Sequence, residues 1–178
     1  RKEPKPLQPT VLDAYEHRIN CAHFSRNSAN VAVRLQQAGF QAFLVGGCVR
    51  DSLLGVNPKD FDVATSATPE QVRYEFRNSR IIGRRFKLVH VHFGRELIEV
   101  ATFRSNHAQD DDIANNDQSA HDASGRILRD NVYGNMEDDA QRRDFTMNAL
   151  YFDVSNEKIY DYSTGFADIK HRLIRLIG

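Results

Sequence analysis

Two aspartates one residue apart, Asp60 and Asp62 in "KDFDVAT", have the type and spacing for chemistry in this 178-residue chain. On a strand, period two sends both carboxylates to one face and Phe61 and Val63 to the other, with the aspartate Cα atoms roughly 7 Å apart. Like charges so placed repel unless a cation or a proton compensates them. Mg2+ suits carboxylate oxygens and keeps coordination sites for water and substrate phosphate, so a metal site is one reading. A pair of solvated aspartates flanking a turn is the other.

The neighbouring stretches supply further candidates. In "LVGGCVRDSLLG", Gly46 and Gly47 stand where a strand runs into a helix. Glycine there lets phosphate oxygens approach backbone amides, and it serves a tight turn equally well. Arg50 and Asp51 follow, either as a surface ion pair or with Arg50 on a triphosphate and Asp51 as its buttress. In "LIEVATFR", alternation turns Glu99 away from Ile98 and Val100, as a third carboxylate for the metal or as a solvated edge residue. Arg104, at the end of that strand, reads as a phosphate ligand.

A helical reading of "AQRRDFTMNALYF" puts Asp144 and Asn148 on one polar face, with Arg142 and Arg143 nearby and Phe145, Ala149 and Phe152 toward the core. The segment "RNSRIIGRRFK" gathers Arg77, Arg80, Arg84, Arg85 and Lys87, suited to nucleic-acid phosphates or to a solvated basic face. His90 and His92 share a strand face. No other histidine or cysteine stands at convincing ligand spacing, which points to a structural or RNA-proximal role.

These residues need elements to hold them. Residues 1–24 are polar and proline-rich and predict an extended leader outside the core. A helix over "SANVAVRLQQAGF", with Ser28 as its cap and Val31, Leu35 and Ala38 as its apolar stripe, feeds the strand "QAFLV". A helix over "CVRDSLLG" and the strand "DFDVAT" come next. Thr68, Pro69 and Gln71 form a capping box for "PEQVRYEF". The strands "FKLVHVHF" and "ELIEVATFR" meet in a hairpin at Gly94. Residues 105–125 lack large apolar side chains and predict a long mobile surface loop. A short hairpin around "DVSNEKIYDY" completes a mixed α/β (α+β) sheet domain over 25–178.

Lysine plus arginine and aspartate plus glutamate both number 24, so net charge offers no argument for a nucleic-acid or membrane partner. Two cysteines, Cys21 and Cys48, are too few for a disulfide framework and predict a reducing, cytoplasmic setting. No apolar run suits a signal peptide or membrane anchor. Starting at Arg1 and stopping after "RLIRLIG", the chain reads as a piece of a longer protein.

Taken together, "LVGGCVRDSLLG", "KDFDVAT", "IEVATFR" and "RRDFTMNAL" resemble, in order and spacing, the head domain of the class II nucleotidyltransferase superfamily of CCA-adding enzymes and bacterial poly(A) polymerases. The stretches "GRRFKLVHV" and "LRDNVYGNMEDDAQRRDFTMNALY" look like the bacterial poly(A) polymerase branch. The resemblance covers about residues 28–178. It implies a head (palm) domain with a mixed, mainly antiparallel sheet flanked by helices. It also implies template-independent transfer of AMP from ATP to RNA 3′-hydroxyl ends, with release of pyrophosphate by two-metal catalysis.

By the same resemblance, Asp60 and Asp62 match metal-binding aspartates for two Mg2+ ions, with Mn2+ as a substitute, and Asp144 matches a further active-site aspartate. Arg142, Arg143 and Asn148 match a nucleotide-contacting motif. Gly46, Gly47, Arg50, Asp51 and Arg104 join them as nucleotide-binding candidates, and Arg80, Arg84, Arg85 and Lys87 become candidates for RNA contact. The closing "DYSTGFADIKHRLIRLIG" resembles a head-to-neck hinge, with Thr164 where the family commonly has glycine. Addition of CCA to tRNA 3′ ends uses the same chemistry, and a non-catalytic RNA-binding module is the reading from another class.

Overall fold

The computed structural model describes residues 7–105 and 133–178. Among them eight strands form one sheet: β1 (Thr10–Leu12), β2 (Ala42–Val45), β3 (Phe61–Thr65), β4 (Ser79–Ile82), β5 (Leu88–Phe93), β6 (Glu96–Thr102), β7 (Leu150–Phe152) and β8 (Ile159–Asp161). Their order across the sheet is β1-β8-β7-β2-β3-β6-β5-β4. Every pairing between these strands is antiparallel except β3 with β6. The mixed, mainly antiparallel sheet is therefore the architecture read from the sequence.

Among the described residues six α-helices accompany it: α1 (Ala14–His17), α2 (Arg26–Gln37), α3 (Gly47–Leu53), α4 (Pro69–Glu75), α5 (Met136–Gln141) and α6 (Gly165–Lys170). Alternation along the strands divides the sheet into two faces. Leu44, Val63, Val89, Val100 and Phe152 face the larger core, where Val31 and Leu35 of α2, Val49 of α3 and Val72 of α4 cover them. On the opposite face, Phe43, Val45, Ala64, Phe103 and Tyr151 form a smaller cluster with Met136 and Ala140 of α5. The smaller cluster covers only part of its face. The remainder carries the polar residues.

Local signals hold where the chain is self-sufficient. Thr68 and Gln71 make the reciprocal capping box that opens α4. The cap of α2 is Ser25, whose Oγ accepts from Ser28 N (3.1 Å), in place of the expected Ser28, which is buried.

Two expectations are corrected. The leader read over 1–24 is, from Thr10 to Phe24, part of the fold: β1 pairs with β8, and Leu12, Ile19 and Phe24 are buried. His17 Nε2 lies 2.6 Å from Glu157 O, and the Phe24 and Phe152 rings meet tilted at 40° with centroids 4.7 Å apart. Sheet pairing and aromatic burial outweigh the local proline signal. The continuous helix read over "AQRRDFTMNALYF" stops at Gln141. Phe145 bridges Leu176, Thr146–Asn148 form a 3₁₀ turn, and Leu150–Phe152 become β7 between β2 and β8. Strand pairing on both sides of "LYF" defeats the helical period. The loop expected over 105–125 lies, beyond Ser105, outside the described residues.

Candidate active site

The acidic side chains are brought together by strand register. In the parallel pairing of β3 with β6, Asp62 stands opposite Glu99, and across β6 and β5 Glu99 stands opposite His90. All three share the face opposite Phe61, Val63, Ile98 and Val100. Glu99 is therefore half-buried on an interior strand, which excludes the edge-strand reading. His90 Nε2 lies 3.5 Å from a Glu99 carboxylate oxygen. Burial, then the Glu99 charge and the hydrogen bond the two carboxyls share, push the Asp62 pKa up to about 7, with Arg143 opposing and Asp60 adding repulsion.

Asp60 precedes β3 and is exposed. Among the described residues, no group of three or more His, Cys, Asp or Glu side chains stands close enough to hold a metal ion. Asp60, Asp62 and Glu99 thus form no preassembled three-carboxylate cage. The donor chemistry still fits a hard divalent cation: carboxyls pressed against each other are the arrangement such an ion would relieve.

The glycine turn abuts this pair. Gly46 has φ +81°, a left-handed conformation that favours glycine, and a Cβ there would lie 3.5 Å from Asp62 Oδ2. Arg50 on α3 donates from Nε to Asp51 Oδ1 (3.1 Å) and from Nη1 to Asn148 Oδ1 (2.9 Å). Asp51 buttresses Arg50, and Arg50 ties α3 to the 3₁₀ turn.

A second cluster is organised by a residue absent from the sequence reading. Asp139, 1% exposed, accepts from Nε and Nη2 of Arg142 on Oδ1 (3.0 and 2.7 Å) and from the same atoms of Arg143 on Oδ2 (3.2 and 3.1 Å). Tyr151 Oη donates to Oδ2 (2.7 Å) and Arg104 N to Oδ1 (3.2 Å). Burial raises the Asp139 pKa, but Arg143 and Arg142 outweigh it and hold the carboxyl below its usual 3.8. The Arg104 pKa is lowered, by burial and then by Arg142. Asp139 stands three and four residues before the two arginines, a helical spacing that could have revealed it.

Asp144 is exposed. Its backbone carbonyl accepts from Ile177 N (2.9 Å), and among the described residues no hydrogen bond or ion pair ties its carboxylate to Asp60, Asp62 or Glu99. Arg80 stands opposite His90 on edge strand β4, while Arg84, Arg85 and Lys87 are exposed on the turn between β4 and β5. Thr164, where a hinge glycine was expected, donates from Oγ1 to Asp168 Oδ2 (2.7 Å). No helix among the described residues is long and apolar enough to cross a membrane.

Residues 42–175 match the Poly A polymerase head domain family. The chain belongs to that family. It is 52% identical over 171 residues to poly(A) polymerase I of Escherichia coli O6:H1, covering 96% of this chain and 36% of that protein. It is also 52% identical over 178 residues to poly(A) polymerase I of Haemophilus influenzae, covering 99% of this chain and 39% of that protein. Among solved structures, the CCA-adding enzyme of Bacillus stearothermophilus in complex with CTP superposes with a TM-score of 0.65 at 34% identity, covering 85% of this chain and 33% of that one. The chain thus spans 33–39% of the length of those proteins.

Proposed function

We propose that the full-length protein transfers AMP from ATP to the 3′-hydroxyl of RNA. The observation that carries this reading is the shared sheet face, where the Asp62–Glu99 pair stands beside the Asp139–arginine cluster and Arg143 acts electrostatically on Asp62, in a chain half-identical to two poly(A) polymerases. In the reaction the RNA 3′ oxygen forms a bond to the α-phosphorus, the bond from that phosphorus to the pyrophosphate oxygen breaks, and the hydroxyl proton passes to solvent.

Asp60 and Asp62, with Glu99 beside them, are the residues that would hold Mg2+. Bound there, the ion would lower the hydroxyl pKa and neutralise phosphate charge. Arg142 and Arg143 counter the triphosphate charge, with Asp139 holding both guanidiniums in place before substrate arrives. Arg50 and Asn148 lock the glycine turn against the 3₁₀ turn, so the nucleotide meets a formed site.

The test uses full-length protein with an end-labelled generic RNA, Mg2+ and ATP as sole nucleotide. A long product ladder, absent in Asp60→Ala, is expected. No ladder with ATP, but two-step extension of a truncated tRNA with CTP and ATP, would overturn it in favour of CCA addition, the activity named in the Bacillus relative.

A further inference from the structure

One aromatic side chain beside the arginine cluster is left open to solvent. Phe86 is 40% exposed, on the turn between β4 and β5. Its position is tightly specified. Gly83 has φ +93°, and a Cβ on it would collide with the Phe86 carbonyl oxygen, so only glycine lets the chain turn this sharply. Arg104 reaches over from the end of β6 and sets its guanidinium 4.2 Å from the centre of the Phe86 ring. The same Arg104 gives its backbone N–H to Asp139, the anchor of Arg142 and Arg143. The ring is therefore linked to the site by one side chain.

Register tells on which side of the acid pair the ring lies. Val45 stands opposite Asp62, so Gly46 extends past the pair toward the Phe61 and Ile98 end. Leu88 stands opposite Ala101, so Phe86 extends past it toward the Arg104 end. Across the sheet, β2 and β5 likewise flank β3 and β6 on opposite sides. The glycine turn and the aromatic turn thus bracket Asp62 and Glu99 along both directions. A reaction that joins two nucleotides over that pair needs one on each side.

We infer that Phe86, backed by the Arg104 guanidinium, is the stacking platform for the 3′-terminal base of the RNA acceptor, with its preceding phosphates against Arg84, Arg85 and Lys87. The inference rests on the polymerase reading above. Base on aromatic stacking tolerates any base, and the flanking cations suit a polyanionic strand better than a single nucleotide. The other source of the same chemistry is the adenine of ATP, and the test separates the two.

Full-length wild type, Phe86→Ala and Phe86→Tyr are compared in two measurements. The first is steady-state extension with KM determined separately for RNA and for ATP. The second is fluorescence of an RNA oligonucleotide with 2-aminopurine as its 3′-terminal base, whose emission drops when that base stacks. Phe86→Ala raises KM for RNA about tenfold, leaves KM for ATP and kcat within about twofold and abolishes the quench, while Phe86→Tyr restores both. An unchanged KM for RNA with the quench retained overturns the platform. A rise in KM for ATP alone assigns the ring to the nucleotide base and also overturns it. Failure of wild type to extend RNA with any nucleotide sinks the polymerase reading, while the quench still decides whether Phe86 stacks an RNA end.

Discussion

Asp62 and Asp139 are both carboxylates on the same side of one sheet, yet their surroundings act in opposite directions. Asp139 is enclosed by two guanidiniums, a tyrosine hydroxyl and a backbone N–H, and its pKa falls. Asp62 is half-buried against another carboxylate, and its pKa rises. A buried charge whose neighbours neutralise it holds structure in place. One whose neighbours repel it is set up for a cation that the chain itself does not supply.

The contrast can be tested at each residue. Asp62→Asn should reduce nucleotide transfer to background while leaving the melting temperature of the metal-free protein unchanged or higher, because a like-charge contact is relieved. A lower melting temperature would make Asp62 a structural residue like Asp139. Asp139→Asn should cost about 3–5 kcal/mol in urea unfolding, since it strands two arginines against a neutral partner. Its effect on KM for ATP should exceed that on kcat, because the arginines would no longer be held for the triphosphate.

The same contrast has a pH signature. A carboxyl whose folded pKa lies below its unfolded value binds fewer protons when folded. The stabilisation from Asp139 is thus complete above about pH 4 and is lost as the pH falls through the lower folded value. Asp168, lowered by hydrogen bonds from Thr146 and Thr164 and by Arg175, adds to this acid limb. Asp139→Asn should flatten it in unfolding measured across that range, and an unchanged limb would remove Asp139 from the account. The smallest effect belongs to Tyr151→Phe, which deletes the hydroxyl's hydrogen bond to Asp139 and the one it accepts from Arg143 Nε, and should cost about 2 kcal/mol. A change several times larger would mean that the hydroxyl orders both arginines.

Much of the candidate site was legible because its signals are local. Alternation placed Glu99 opposite Ile98 and Val100, and the glycine turn, the α4 capping box and the Gly94 hairpin all occupy the elements read for them. Tyr151 was hidden for the opposite reason. In sequence it is one aromatic among apolar residues, and only when β7 lies between β2 and β8 does its hydroxyl arrive beneath Arg143. The misread helix has the same origin: Phe145, Ala149 and Phe152 fit a helical stripe, but Thr146 N bonds Arg175 O and the segment is held open by distant chain.

The sequence by itself determined that Asp62 and Glu99 turn away from the apolar face of the sheet, where α4 starts and which residue types are gathered for phosphate and cation chemistry, since these depend on a period of two and on caps spanning a few residues. Tertiary structure alone decided that Glu99 stands beside Asp62, that the Tyr151 hydroxyl reaches Asp139 and Arg143, and that Thr10–Leu12 close one edge of the sheet. Strand neighbours and register are set by how whole faces bury one another, and no short window of residues contains that choice.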